Sequence, residues 1–113
     1  MVPSQDRRQF ARAEAKWPVI IISPDSQTLG EIKSISQVGA SIYCDKLPST
    51  AKELFLEIQP PNRQPIKVLA LPIWSVDADT TESSYHFVFG VQFEYISEYD
   101  LQFLGDIVVK QSP

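Results

Sequence analysis

Alternation with period two dominates this chain. Residues 85–95 show it most clearly: Tyr85, Phe87, Phe89, Val91, Phe93 and Tyr95 alternate with His86, Val88, Gly90, Gln92 and Glu94. Successive side chains of a strand point to opposite faces, so the pattern predicts a strand with one aromatic face. An aromatic stripe at this period is a core face more often than a base-stacking platform. Gly90 in its middle fits a bulge or sharp bend, as a closing barrel needs. Leu54, Leu56 and Ile58 alternate with Phe55 and Glu57, which predicts a half-exposed strand. Val38, Ala40 and Ile42 share one face of a strand over 38–44, with Gly39, Ser41 and Tyr43 on the other. Residues 28–35 alternate weakly. The run Val19-Ile20-Ile21-Ile22 reads as a short strand over 17–22, buried on both faces. After Pro60-Pro61-Asn62, residues 66–74 return the chain, and Pro72 within them predicts an edge or a bulge.

The period changes at the C-terminal end. Leu101, Leu104 and Val108 mark an apolar helical face, with Phe103 and Ile107 beside it. Ser97 stands as an N-cap with an acid, Asp100, three residues on, so a helix is expected over about 97–110. Ser23-Pro24-Asp25-Ser26, the stretch from Leu47 to Thr50 and residues 77–84 read as turns and loops. Six strands and one terminal helix predict an all-β fold, a small six-stranded antiparallel barrel capped or plugged by that helix.

Residues 1–16 have no sustained apolar period and are expected as a flexible basic arm. Residues 17–113 then form a single domain. The arm carries four basic and two acidic side chains, the rest of the chain six and twelve, for a formal net charge of -4. A positive arm on a negative body favours a small anion and argues against tight generic binding of DNA or RNA. Cys44 is the lone cysteine, which excludes an intramolecular disulfide and a thiolate zinc site and suits a reducing cytoplasm. Residues 1–15 are too polar for a signal peptide, and no apolar run approaches the roughly 20 residues of a membrane span.

Two short constellations carry candidate chemistry. Three of the four arginines, Arg7, Arg8 and Arg12, fall in the arm. Guanidinium makes planar, paired contacts with phosphate or a guanine edge and stacks on rings. Arg8 and Arg12, four apart, converge in either a helical or a tight turn. The second constellation is Ser34-Ile35-Ser36-Gln37-Val38-Gly39. Its two hydroxyls, spaced by one residue, share a face if the segment is extended, and Gly39 permits a bend or a close ligand approach. His86, the single histidine, lies on the aromatic-rich strand and reads as structural or exposed. Asp77, Asp79 and Glu82 read as a solvated acidic loop, so neither a catalytic residue nor a metal site is assigned.

Arg8-x-x-x-Arg12 preceded by Arg7, followed about two dozen residues later by Ser36-x-x-Gly39, resembles the signature of the PilZ domain family, an arginine pair and a downstream [D/N]-x-S-x-x-G. Ile73-Trp74, Gly90-Val91-Gln92-Phe93 and the terminal helix extend the likeness over nearly the whole chain. The resemblance implies a six-stranded barrel that binds the bacterial second messenger cyclic di-GMP. Arg8 and Arg12 would contact phosphates and guanine edges, Ser36 would hydrogen-bond the ligand, and Gly39 would shape the turn. A basic residue at Arg7 favours an intercalated ligand dimer in that family. The family's Asp or Asn falls here on Ser34, whose hydroxyl offers poorer bidentate geometry for two guanine N–H groups than a carboxylate does.

The expected function is a stand-alone, non-enzymatic cytoplasmic receptor that relays cyclic di-GMP to an effector protein. The alternative within the family is a protein-interaction adaptor that does not bind the nucleotide. A third possibility, a barrel for single-stranded nucleic acid, is opposed by the acidic body.

Overall fold

The computed structural model describes residues 12–48, 52–79, 81 and 83–111. Its strands follow from the alternation. Strand β1 is Ala13–Glu14 and β2 is Pro18–Ser23. A tight turn at Pro24-Asp25 leads into β3, Ser26–Ile35, and the hydroxyls of Ser23 and Ser26 meet across it at 2.9 Å. Next come β4 (Gly39–Cys44), β5 (Leu54–Ile58), β6 (Ile66–Asp77) and β7 (Phe87–Tyr95), then helix α1 (Glu98–Gln111). All pairings are antiparallel, in the order β1-β3-β2-β5-β6-β7-β4. A further β3–β4 pairing joins the ends, so β2 to β7 form a closed six-stranded barrel.

Strand β1 lies within the segment expected as an arm. Its residues Ala13 and Glu14 pair with Ile35 and Ser34, on the same edge of β3 that β2 occupies further along. Ala13 and Ala15 are small enough to sit buried against the barrel.

Inward-facing aliphatics fill the barrel. Val19, Ile21, Ile42, Leu56, Val68 and Phe89 are all at most 2 % exposed. The expectation that β2 is buried on both faces needs correction: Val19 and Ile21 are buried, but Ile20 and Ile22 are only half-buried. The barrel's single layer buries one face of β2, which alternates as its neighbour β5 does.

Bulges explain the other departures. Register shifts occur in β6–β7 between Leu69 and Ala70 and between Pro72 and Trp74, which places Pro72 at a bulge as expected. At the first shift Leu69 faces Tyr95 while Ala70 faces Phe93, so one extra residue in β7 turns Tyr95 outward. The predicted aromatic face is therefore shorter than the pattern. Phe89 and Val91 are buried and Phe87 and Phe93 pack at the core's margin. Tyr95 is exposed, and Tyr85, before the strand, stacks on Tyr43 with ring centroids 6.1 Å apart.

Helix α1 closes one end of the barrel. The Ser97 hydroxyl accepts the Asp100 N–H at 3.2 Å, an N-cap bond, and the first turn is acidic while Lys110 ends the helix, matching its dipole. Leu104 is fully buried and Val108 nearly so. The Phe103 ring stacks on Trp17 at 6.2 Å, and the Arg63 guanidinium lies 4.2 Å from the Phe103 ring centre while pairing with Asp100 at 2.9 Å. The Gln37 side-chain amide donates to the Leu101 carbonyl at 3.1 Å, tying the turn after β3 to the helix.

Candidate ligand site on the outer barrel face

A third register shift, in β3–β4 between Ile32 and Ser34, builds the site. The bulge at Lys33 lets both Ile32 and Ile35 face the core and turns Ser34 outward. Ser34 then sits opposite Ser41, Ser41 opposite Gly90, and Gly90 opposite Trp74. Glu14 stands opposite Ser34 on the other side. One line of residues thus crosses five neighbouring strands, spanning about 20 Å at the usual strand spacing.

The middle of that line is low and the ends are tall. The Ser34 and Ser41 hydroxyls share a hydrogen bond at 2.7 Å. Arg12 donates from Nη1 to the Ser34 Oγ at 3.0 Å. At the other end the Trp74 indole lies directly over Gly90, and a Cβ there would come within 2.2 Å of the indole ring. Glycine is required at 90 because the ring occupies the space of any side chain. Trp74 remains 45 % exposed, so part of its indole is open to solvent. Arg12 also borders a depression of about 310 Å³ lined with Val38, Gly39, Ile73 and Gln92. A guanidinium, two hydroxyls and an indole face can together hold an anionic group and an aromatic ring.

Ser36 does not share the face of Ser34, contrary to the spacing argument, because β3 ends at Ile35. Its hydroxyl is 1 % exposed and turned into the following bend, where it accepts the N–H groups of Val38 and Gly39 at 3.2 and 3.3 Å. The Ser36 N–H donates to the Gly39 carbonyl at 2.9 Å and closes the turn. Gly39 lets β4 approach β7, since a Cβ there would lie 2.3 Å from the Val91 carbonyl oxygen. The structure therefore brings Arg12 and Ser34 together and places Ser36 and Gly39 beneath them as the frame of the turn. Arg7 and Arg8 lie outside the described residues.

Trp74, Ser41 and Gly90 stand in this line without having been expected there. In the sequence Trp74 and Gly90 are only strand landmarks, and a period-two count cannot show that a bulge brings Ser34 into line with them.

Elsewhere, burial pushes the Cys44 thiol up to about 11, an inert environment for it. Hydrogen bonds from the Thr81 hydroxyl and N–H hold the exposed Asp79 carboxyl below its ordinary value. His86 is exposed and its Nδ1 lies 2.9 Å from Asp45. Among the described residues no group of three or more His, Cys, Asp or Glu could hold a metal, and no helix is long and apolar enough to cross a membrane.

The fold is a closed six-stranded antiparallel barrel with one C-terminal helix, and a cation, hydroxyls and a partly exposed indole stand on its outer face. The PilZ domain family matches residues 6–110, and the chain belongs to that family of receptor and adaptor domains. Its fold is similar to that of the Bacillus subtilis inhibitor of motility MotI/DgrA, with a TM-score of 0.78 and 22 % identity over 93 % of this chain. The match covers 51 % of MotI, so the chain spans about half that protein's length. The PilZ domain of Escherichia coli YcgR, solved with cyclic di-GMP, matches with a TM-score of 0.73 and 13 % identity, over 92 % of this chain and 90 % of that one. A search of curated proteins returns no match.

Proposed function

We propose that this chain is a non-catalytic cytoplasmic receptor domain that binds cyclic di-GMP on the outer barrel face and relays it to an effector protein. The observation that carries the reading is the Arg12 guanidinium on Ser34 Oγ, continued to Ser41 and facing Trp74 across the floor at Gly90. A dianionic ligand with two guanines needs cations for its phosphates and flat faces for its bases, and this line offers both. Arg8 and Arg7 would add guanidinium groups from the preceding residues, Arg7 favouring an intercalated ligand dimer. Ser36 and Gly39 serve by holding the turn that carries Ser34. Calorimetric titration with cyclic di-GMP, with GTP and cyclic GMP as controls, tests this. Saturable binding of the dinucleotide alone is expected, and its absence would overturn the receptor reading.

One observation favours the adaptor reading as a second. Ile22, Phe55, Leu69 and Tyr95 form a continuous outward row across β2, β5, β6 and β7. Phe55 and Tyr95 are 59 % and 67 % exposed there. Such a row suits contact with a protein partner and fits the relay as well as the adaptor.

A further inference from the structure

Beside Arg12, Glu14 and Lys16 carry a pattern that the receptor reading leaves unused. Arg12, Glu14 and Lys16 are exposed, while Ala13 and Ala15 between them are buried. A cation, a carboxylate and a second cation therefore stand on one face at every second position. The register sets Glu14 directly opposite Ser34, and opposed residues of an antiparallel pair project to the same face with Cβ atoms about 4.5–5.5 Å apart. Glu14 and Lys16 also line a surface cleft of about 630 Å³, together with Glu31, Lys33, Tyr43 and Tyr85. That volume lies within the roughly 300–1,000 Å³ of small-molecule sites.

This spacing complements one edge of guanine. The Watson–Crick edge of guanine offers an acceptor, O6, beside two donors, N1–H and N2–H. A carboxylate accepts both donors at once, and a neighbouring cation donates to O6. The Ser34 hydroxyl offers poorer bidentate geometry, and it already bonds Arg12 and Ser41. Adenine presents a donor and a bare N1 lone pair on that edge, which a carboxylate would repel. Flanking by Arg12 and Lys16 also screens Glu14 from the ligand phosphates.

We propose that Glu14 is the residue that reads the guanine edge, with the base seated in the cleft beside Ser34 and Lys16 donating to its O6. The inference rests on the reading of the site as a cyclic di-GMP receptor and adds the origin of its base specificity. Position 14 belongs to β1, so the acceptor comes from the strand opposite Ser34 and not from Ser34 itself.

The test compares cyclic di-GMP with cyclic di-IMP, which lacks only the 2-amino group. Wild type should prefer cyclic di-GMP by about tenfold, the effect of one charge-assisted hydrogen bond. Glu14→Ala should weaken cyclic di-GMP by about tenfold or more and abolish most of the preference. Glu14→Ala combined with Ser34→Asp moves the carboxylate across the strand pair and should restore most of both. Because Glu14 is exposed, all variants should melt near the wild-type temperature. An unchanged preference in Glu14→Ala would overturn the assignment while leaving the receptor reading intact. Failure of wild type to bind cyclic di-GMP would overturn both.

Discussion

Arg12 is the guanidinium that the structure sets against the hydroxyl floor, and its loss is the sharpest single-residue change. Arg12→Ala removes charge-assisted hydrogen bonds worth about 1.5–3 kcal/mol apiece, so cyclic di-GMP affinity should fall roughly tenfold to a hundredfold. The side chain is exposed, so thermal stability should hold within about 0.5 kcal/mol. Calorimetry beside a melting curve checks both halves. Gly90→Ala acts from the other end of the line. Its methyl group would displace the Trp74 indole, which should weaken ligand binding and shift tryptophan emission. Gly39→Ala differs in kind, because it strikes the Val91 backbone and should cost about 1–3 kcal/mol of stability by overpacking. Cys44 offers a check on burial alone. Its folded value, about 11, lies above the ordinary thiol value, so the folded state holds the proton better than the unfolded chain. That contribution is present in full below about pH 8.5 and is lost as pH rises toward 11. A thiol reagent at pH 8 should therefore label Cys44 only after denaturant is added; prompt labelling of the native protein would contradict its burial.

Among the elements, α1 depends on a few identifiable bonds. Ser97→Ala removes the cap on the Asp100 N–H and should cost about 1 kcal/mol, read as a fall of several degrees in melting temperature. Leu104→Ala opens a void at the barrel end and should cost about 2–5 kcal/mol. The helix was legible in the sequence because its apolar spacing and its cap are both local. Strands β5 and β7 were legible for the same reason, since each needs only its own alternation, whereas β2 showed only as a β-branched run. Bulges were not, because they arise from how two strands of unequal length are matched. The extra residue at Lys33 decides that Ser34 faces out, and one in β7 turns Tyr95 away from the core. Strand β1 was hidden because two residues are too few for a period. Only Ala13 and Ala15, set between charged neighbours, hinted at a buried side.

At the scale of the whole molecule, barrel closure brings separate sequence segments onto one outer face. Position 12 precedes β1, 34 and 41 flank the turn after β3, and 74 and 90 belong to strands far along the chain, yet pairing aligns them. The arginine and serine motifs were visible as a family signature, whereas their alignment with Trp74 required the closed sheet. The same closure ties the turn after β3 to α1 through Gln37 and Leu101. The most direct test of the site is a nuclear magnetic resonance titration of the isotope-labelled chain with cyclic di-GMP. The largest shifts should fall on the amides of Arg12, Ser34, Ser41 and Gly90 and on the Trp74 indole N–H. Shifts confined to the opposite surface around Phe55 and Tyr95, or none at saturating ligand, would contradict the account.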